Sequence, residues 1–138
     1  MKNDQRSTDR SLTRSLFLTT NVDGYWTIPV AYHQESENLR QTAERALKVN
    51  LGDEFDAKIL GNSPFSHFKY GYSQKIQDKT GAGGENVFIF KAFYEGGKVQ
   101  LQDKERNKDY LWLQRDELEQ KIDPVVKKPL FRIIYDEE

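Results

Sequence analysis

Apolar and polar positions alternate along the chain with two different periods, and each period predicts one kind of element. A period near 3.6 residues over 37–50 predicts an amphipathic helix, with Ser36 as its N-cap and Gly52 at its end. Short apolar or alternating runs predict strands, and the run over 86–94 is the strongest of them. The predicted strands cover 16–20, 25–28, 57–60, 65–72, 86–94 and 109–113.

The alternation over 65–72 gives that strand two different faces. One face carries Phe65, His67, Lys69 and Gly71, and the other carries Ser66, Phe68, Tyr70 and Tyr72. The aromatic rings could stack on RNA bases, but aromatic residues in strands more often belong to a core, which is the favoured interpretation. His67 is interpreted as a packed or surface residue, because the sequence has no cysteine and its other histidine, His33, is distant along the chain.

The segments that follow the strands predict turns and short helices. Residues 74–84 predict a loop, and the turn at 95–98 predicts a hairpin that leads into a strand at 99–101. A short helix is predicted over 116–122, and Pro129 is predicted to open a final helix. This order of elements predicts an α/β fold in which helices flank a mixed sheet.

The C-terminal segment is unusually apolar for a short helix. Four large apolar residues fall within five positions: Leu130, Phe131, Ile133 and Ile134. One face of such a helix cannot bury all four, so the helix is predicted to contact either the flank of the sheet or a neighbouring subunit. The N-terminal tail and the 74–84 loop are predicted to become ordered only in an assembly.

Length and composition narrow the function classes. At 138 residues the chain has the size of one domain, with 1–14 predicted as a polar N-terminal tail and 15–138 as the domain. The net charge of −1 argues against a nucleic-acid binder that acts by its electric field alone. The sequence contains no cysteine, which excludes disulfide scaffolds, thiolate zinc sites and cysteine catalysis. No apolar run approaches the ~18 residues of a membrane helix, so no membrane association is predicted.

The predicted helix at 37–50 contains a spacing associated with magnesium chemistry. Glu37, Arg45, Leu47 and Gly52 match four positions of the Nudix box, a loop–helix–loop motif that binds magnesium and a nucleoside diphosphate group. Their intervals fit without insertion. Glu37 and Arg45 are predicted to form a charge-assisted pair that holds the loop to the helix. On these positions alone, an ordinary amphipathic helix is the favoured interpretation.

The three carboxylate positions of the box are not matched. They hold Ala46, Val49 and Asn50, and Glu44 lies too far around the helix to replace them. Magnesium requires anionic oxygen ligands, which alanine and valine lack and asparagine supplies only as one neutral carbonyl. Ala46 and Val49 are therefore predicted to lie in a collapsed or covered cleft. We assign no catalytic, cofactor-binding or metal-ligating residue.

An ordered series of segments outside the box carries a more specific resemblance. The segments are 39–45, 59–64, 67–70, 87–92, 110–113 and 116–118. Together they resemble the family of protein forty-six of the large subunit of mitochondrial ribosomes, from about Asp9 to about Ile134. This family has a Nudix-like domain with a decayed box. The resemblance implies a structural, non-catalytic protein of the central protuberance that needs no cofactor.

The resemblance also implies partners and a location. The expected partners are proteins of the mitochondrial large subunit, and the expected location is the ribosome in the mitochondrial matrix. Ribosomal RNA is a further candidate partner through Lys75, Lys79 and the tail at 1–14. Two alternative functions remain compatible with the sequence: a divergent Nudix nucleotide pyrophosphatase, and a nucleotide-binding module without turnover.

Overall fold

A computed structural model describes residues 16–71 and 73–134. Within them the chain has the helices and strands of the predicted α/β class, but its strands pair antiparallel in three sheets and do not form the predicted mixed sheet. The tail predicted at 1–14 lies outside the described residues. The elements are β1 (Phe17–Val22), β2 (Tyr25–Thr27), α1 (Leu39–Leu51), β3 (Asp56–Ile59), β4 (Ser66–Gly71), α2 (Gln74–Thr80), β5 (Gly84–Ile89), β6 (Ala92–Gly96), β7 (Asn107–Leu113), α3 (Arg115–Lys121) and α4 (Pro124–Ile133).

A three-stranded antiparallel sheet pairs the first strands of the described chain with its last strand. Its strand order is β2-β1-β7, so β1 pairs with the neighbouring β2 and also with the distant β7. The β1–β2 turn is tight because Asp23 and Gly24 both have positive φ, and the Asn21 side chain accepts the Gly24 N–H at 3.1 Å. The predicted strands at 16–20, 25–28 and 109–113 are confirmed here.

The other four strands form two separate two-stranded antiparallel sheets, in which β3 pairs with β6 and β4 pairs with β5. The single strand predicted over 86–94 is therefore wrong, since it is two strands separated at Phe90 and Lys91. The reason lies in the facing chain, which inserts the loop 61–64 between β3 and β4. Hydrogen bonds of 2.8 Å from Leu60 N–H to Lys91 O and from Phe65 N–H to Ile89 O flank this insertion.

The hairpin predicted from 95–98 into a strand at 99–101 is also wrong. β6 pairs backward with β3, and residues 99–101 form no strand. They lie against the end of α1, where Gln100 N–H donates to Leu51 O at 2.8 Å and Gln102 N–H donates to Asn50 O at 2.9 Å. The carbonyls of the last turn of α1 have no partner within the helix, so they accept the backbone hydrogen bonds of this segment in place of a neighbouring strand.

The segment predicted as a loop over 74–84 contains a helix. α2 covers its first seven residues, with the Ser73 side chain accepting the Ile76 N–H at its start. Gly81 ends the helix in the left-handed conformation at φ 74°. The glycine-rich residues 81–84 therefore follow the helix, and the cap at Gly81 decides where the helix ends. Tyr72, which was assigned to the preceding strand, lies outside the described residues.

The largest apolar cluster lies where β7, α3 and α4 meet. Its buried members are Leu111, Leu113, Leu118, Ile122, Val126, Leu130 and Ile134. Phe131 and Ile133 pack against this cluster while partly buried, so the predicted contact of the C-terminal helix is made with the flank of the sheet.

The final helix begins five residues earlier than predicted. α4 starts at Pro124, and Pro129 lies inside it. Pro124 suits the first helical position because its missing N–H would have no partner there, and the Asp123 side chain accepts the Val125 N–H at 3.1 Å. In 16–71 and 73–134, none of the helices has the length and hydropathy of a membrane span.

Candidate functional site

The helix that carries the box positions begins with a reciprocal cap. Asn38, not the predicted Ser36, is the N-cap of α1: its side chain accepts the Gln41 N–H at 2.8 Å, and the Gln41 side chain accepts the Asn38 N–H at 2.9 Å. Ser36 lies in the preceding turn. Asparagine followed by glutamine three residues later satisfies two donors at once, which a serine two residues earlier could not do. Gly52 ends the helix as predicted.

The predicted pair of Glu37 and Arg45 is present and has two contacts. Arg45 Nη2 lies 2.7 Å from Glu37 Oε1, and Arg45 Nε lies 3.2 Å from Glu37 Oε2. Arg45 Nη2 also donates to the carbonyl of Tyr32. The arginine thus ties the loop before the helix to the first turns of α1, in a bidentate geometry that favours specificity.

Several donors converge on the Glu37 carboxylate. Besides Arg45, the Thr42 hydroxyl donates to Oε1 at 2.9 Å and the Gln34 N–H donates to the same oxygen at 3.0 Å. These hydrogen bonds, with the one from Arg45 the strongest, lower the pKa of Glu37 from 4.5 to about 2. The same pair raises the pKa of Arg45. The charged groups of Glu37 and Arg45, at the two matched box positions, therefore bind each other and hold the loop to the helix.

Asn50, at a carboxylate position of the box, is buried and fully engaged. It is 4% exposed, and its Nδ2 donates to Val30 O at 2.8 Å and to Ala46 O at 2.7 Å. Its Oδ1 accepts from Nδ2 of Asn107 at 2.8 Å, and the same Asn107 nitrogen donates to Gln102 O at 2.9 Å. This network joins α1 to the start of β7. A buried amide with all three contacts made is typical of a structural role.

The other two carboxylate positions differ from each other. Ala46 is 7% exposed, as expected for a covered position, but Val49 is 43% exposed. The prediction that both lie in a collapsed cleft is therefore wrong for Val49. The helix turns by about 100° per residue, which places Val49 about 60° away from Ala46 and toward solvent.

The residues at these positions do not fit a magnesium ion. Ala46 and Val49 have no side-chain donor atom, and the one carbonyl oxygen of Asn50 is taken by Asn107. Throughout 16–71 and 73–134, no cluster of three or more histidine, cysteine, aspartate or glutamate side chains could hold a metal ion. The three positions on the box helix therefore supply no anionic oxygen to a magnesium ion.

The two lysines predicted as RNA contacts lie on α2. Lys75 and Lys79 are one helical turn apart and both are exposed. Since α2 connects β4 to β5, the lysines lie at the tip of the hairpin that these two strands form. The Gln74 side chain donates to Asp78 on the same helix at 2.9 Å, so the tip also carries a carboxylate.

A group of exposed rings on the same hairpin was not predicted as a group. Phe65 and Phe88 are 51% and 42% exposed, and the His67 ring stacks on Phe88 with centroids 6.0 Å apart. Alternation over 65–72 had placed Phe65 and His67 on one face. Phe88 was missed because the register that sets it opposite His67 depends on the pairing of β4 with β5.

Comparisons with known proteins give one consistent result. Large ribosomal subunit protein mL46 of Bos taurus is 33% identical over 141 residues, which cover 99% of this chain and 50% of that protein. The protein of the same name from Mus musculus is 33% identical over 142 residues, 99% of this chain and 49% of the relative. Over nearly its whole length the chain is similar to mL46.

The similarity to mL46 extends beyond mammals and has a clear length limit. mL46 of Neurospora crassa is 27% identical over 128 residues, 85% of this chain. The chain spans about half the length of the mammalian mL46 relatives that it matches. No protein-family model matches the chain.

Proposed function

We propose that this chain is a structural component of the mitochondrial large ribosomal subunit. The observation that carries the proposal is the match to mL46 over 99% of the chain at 33% identity. A similarity that spans the whole chain involves the sheet, the box helix and the C-terminal helices together. It therefore supports a shared role of the domain as a unit, bound to the ribosome within mitochondria.

We further propose that the chain lies in the central protuberance and uses a catalytically inactive Nudix-like domain as a scaffold. The resemblance described above supports the location. The lack of catalysis is supported by Ala46, Val49 and Asn50, which leave no anionic oxygen for magnesium. The Asn50 amide holds α1 to β7 through Asn107, so a catalytic position has become part of the scaffold.

The proposed partners are mainly proteins of the large subunit. A net charge of −1 gives no general attraction to RNA, so protein contacts should dominate. Local contacts to ribosomal RNA are proposed at Lys75 and Lys79 on α2, which are exposed, and at the tail over 1–14. Each neutralised phosphate would add to the salt dependence of binding.

Sedimentation tests the ribosomal role. The chain is expressed with an affinity tag in mitochondria, and lysates are separated on sucrose gradients in low and moderate salt. Co-sedimentation with the large subunit, weakened only mildly by salt, is the expected outcome. A chain that is absent from ribosomal fractions at every salt concentration would contradict the proposal.

A separate assay tests the absence of catalysis. The purified chain is incubated with magnesium or manganese and a panel of nucleoside diphosphate derivatives, and no turnover is expected. Turnover that disappears on Asn50→Ala or Glu44→Gln, and so does not come from a contaminant, would favour the divergent pyrophosphatase. Thermal stabilisation by a nucleotide without turnover would favour the binding module.

A further inference from the structure

The final helix of the described chain, α4, has an apolar side and a cationic side. Its buried residues recur every four positions and pack into the largest apolar cluster: Val126, Leu130 and Ile134. At about 100° per residue, the opposite side of the helix carries Val125, Lys128 and Arg132, which fall within about 60° of one another. All three are exposed. We call these three residues the outer face of α4.

The charge of α4 has a single sign. Residues 124–134 include three cations, Lys127, Lys128 and Arg132, and no carboxylate. Among the described residues, no ion pair involves any of the three. Asp123, the carboxylate that precedes them, accepts a backbone N–H of the first turn. The chain as a whole has a net charge of −1, so positive charge is concentrated on this helix.

The cations lie on a rigid surface, because α4 is anchored through its buried side. Lys127 is half-buried at the margin of the outer face, and Lys128 next to it is exposed. Phe131 follows them by one helical turn, and the guanidinium carbon of Arg115 on α3 lies 5.9 Å from the centroid of its ring. Arg115 is already engaged by this ring, so it adds positive charge but is not counted as a contact to a partner.

Two common partners of a basic helix fit this surface poorly. A basic amphipathic helix binds a membrane through its apolar side, but here that side is buried in the domain. Interfaces between proteins are depleted in lysine and are centred on buried apolar groups. The outer face has Val125 as its single apolar residue, so it offers little for such a centre.

The phosphate backbone of RNA fits the outer face better. Lysine and arginine commonly contact phosphate oxygens, and Lys128 and Arg132 lie about 6 Å apart along the helix axis, close to the spacing of successive phosphates on one strand. The outer face has no aromatic ring on which an unpaired base could stack. Double-stranded RNA is recognised largely through its backbone and shape, so it suits a surface that has charge and no ring.

We propose that the outer face of α4 binds the phosphate backbone of double-stranded RNA. Lys128 and Arg132 contact phosphates of one strand, and Lys127 adds charge from the margin. The contact is independent of base sequence, because it uses only the backbone. The inference rests on the proposed function, since a ribosomal subunit supplies RNA helices at close range.

Three carboxylates follow the helix in the sequence, at Asp136, Glu137 and Glu138, outside the described residues. If the cations of α4 only balanced these carboxylates, replacing the cations would not weaken the binding of RNA. The affinity of variants for RNA therefore separates the two roles.

Titration of the free chain tests the contact. Fluorescence anisotropy follows the binding of a short labelled RNA duplex and of a second duplex of unrelated sequence. The two duplexes should bind equally, and the double variant Lys128→Gln with Arg132→Gln should weaken binding at least about tenfold at low salt. The slope of log affinity against log salt should become shallower by about 1.8, since two phosphate contacts are lost.

Lys98→Gln with Lys104→Gln is the matched control, because it removes the same charge from exposed positions outside α4. It should leave the affinity nearly unchanged. Circular dichroism melting checks the fold, and α4 should persist because glutamine has a helix propensity close to those of lysine and arginine. A folded double variant that binds as tightly as the parent, an equal loss in the control, or a clear preference for one duplex sequence would overturn the proposal. Binding to vesicles that contain phosphatidylserine, with no binding to either duplex, would also overturn it.

Directed cleavage of RNA tests the contact in the assembly. The sequence has no cysteine, so Val125→Cys gives a single attachment point for an iron chelate whose hydroxyl radicals cut nearby RNA. Val49→Cys on α1 is the matched control, since Val125 and Val49 are 41% and 43% exposed. In large subunits that contain the labelled chain, Val125→Cys should cut an RNA helix that the control leaves intact.

Incorporation and cleavage separate this contact from the proposed function. A chain that is present in the subunit but cuts no RNA from position 125, or that cuts the same nucleotides from position 49, would overturn the RNA contact. A chain that is absent from the subunit would contradict the proposed function, whereas the titration still decides whether α4 binds RNA.

Discussion

The box helix and the β4–β5 hairpin differ in what their polar and aromatic groups contact. Glu37, just before α1, and Arg45 and Asn50, on α1, occupy positions of a known motif, and each is bound to other groups of the same chain. On the hairpin, Phe65 and Phe88 belong to no motif, and each is about half exposed. The side chains at the motif positions contact other groups of the protein, whereas the two hairpin rings are largely exposed to solvent.

Motif spacing alone does not make a binding or catalytic site. A side chain can act on a partner only if its donor, acceptor or ring is not already used within the protein. The Glu37 carboxylate accepts from three residues, so little of it remains for a ligand. Four predictions test whether the box residues stabilise the fold and whether Phe88 on the hairpin lies outside the core.

The largest expected effect comes from returning a carboxylate to the buried box position. Ala46→Glu should lower the free energy of unfolding by about 3 kcal/mol, because it places a negative charge at a position that is only 7% exposed. Val49→Glu, at 43% exposure, should change it by no more than about 0.5 kcal/mol. Urea unfolding of both variants measures the difference. Two well-tolerated variants that gain magnesium affinity would indicate an open cleft.

Asn50→Asp should have the next largest effect, about 2 kcal/mol at neutral pH. The new carboxylate would face the carbonyl oxygens of Val30 and Ala46, which now accept hydrogen bonds from Nδ2. Its pKa would be raised in the folded state, so the loss should shrink as the pH falls and the carboxyl is protonated. Urea unfolding at several pH values measures this. Asn62→Asp, on an exposed loop, is the control, and an equal effect there would argue against the buried network.

A smaller effect is expected from the Glu37–Arg45 pair, and it should depend on pH. The folded pKa of Glu37 is about 2 and its reference value is 4.5, so its contribution to stability is present above pH 4.5 and is lost as the pH falls toward 2. Glu37→Gln should be less stable than the parent chain at pH 7, and the two should converge near pH 2. Thermal melts across this range measure the convergence. Glu44→Gln, on the exposed side of α1, should run parallel to the parent. A constant gap for Glu37→Gln would contradict the assignment.

The smallest effect on stability is expected on the hairpin. Phe88→Ala should cost about 0.5 kcal/mol, since it removes one cross-strand contact with His67 and little buried area. Thermal unfolding measures it. A loss above about 2 kcal/mol would place Phe88 in the core and would weaken the contrast between the two regions.

Much of the secondary structure was predictable because it depends on nearby residues. The 3.6-residue period of α1 and its end at Gly52 are local properties of the sequence, and the structure confirms them. The errors fall where two alternatives were locally similar. Ser36 and Asn38 can both cap a helix, and Pro124 and Pro129 can both open one, so boundaries moved by a few residues.

The strand pairings were less predictable because they depend on distant residues. Residues 86–94 read as one strand, and only the facing loop 61–64 divides it into β5 and β6. Residues 99–101 have the sequence pattern of a strand after a turn, but their backbone forms hydrogen bonds with carbonyls at the end of α1. In each case a partner from elsewhere in the chain decided between two acceptable local structures.

The α/β class, the lack of metal carboxylates at 46, 49 and 50, and the similarity to mL46 can all be read from the amino-acid sequence without a structure. The lack of a metal site at these positions follows from residue type, because the side chains of alanine and valine have no oxygen that could bind magnesium in any conformation. The tertiary structure decided which groups are available. It buried Asn50 against Asn107, exposed Val49, and set Phe88 beside His67. Burial and register depend on contacts between distant residues, and these contacts exist only after the chain has folded.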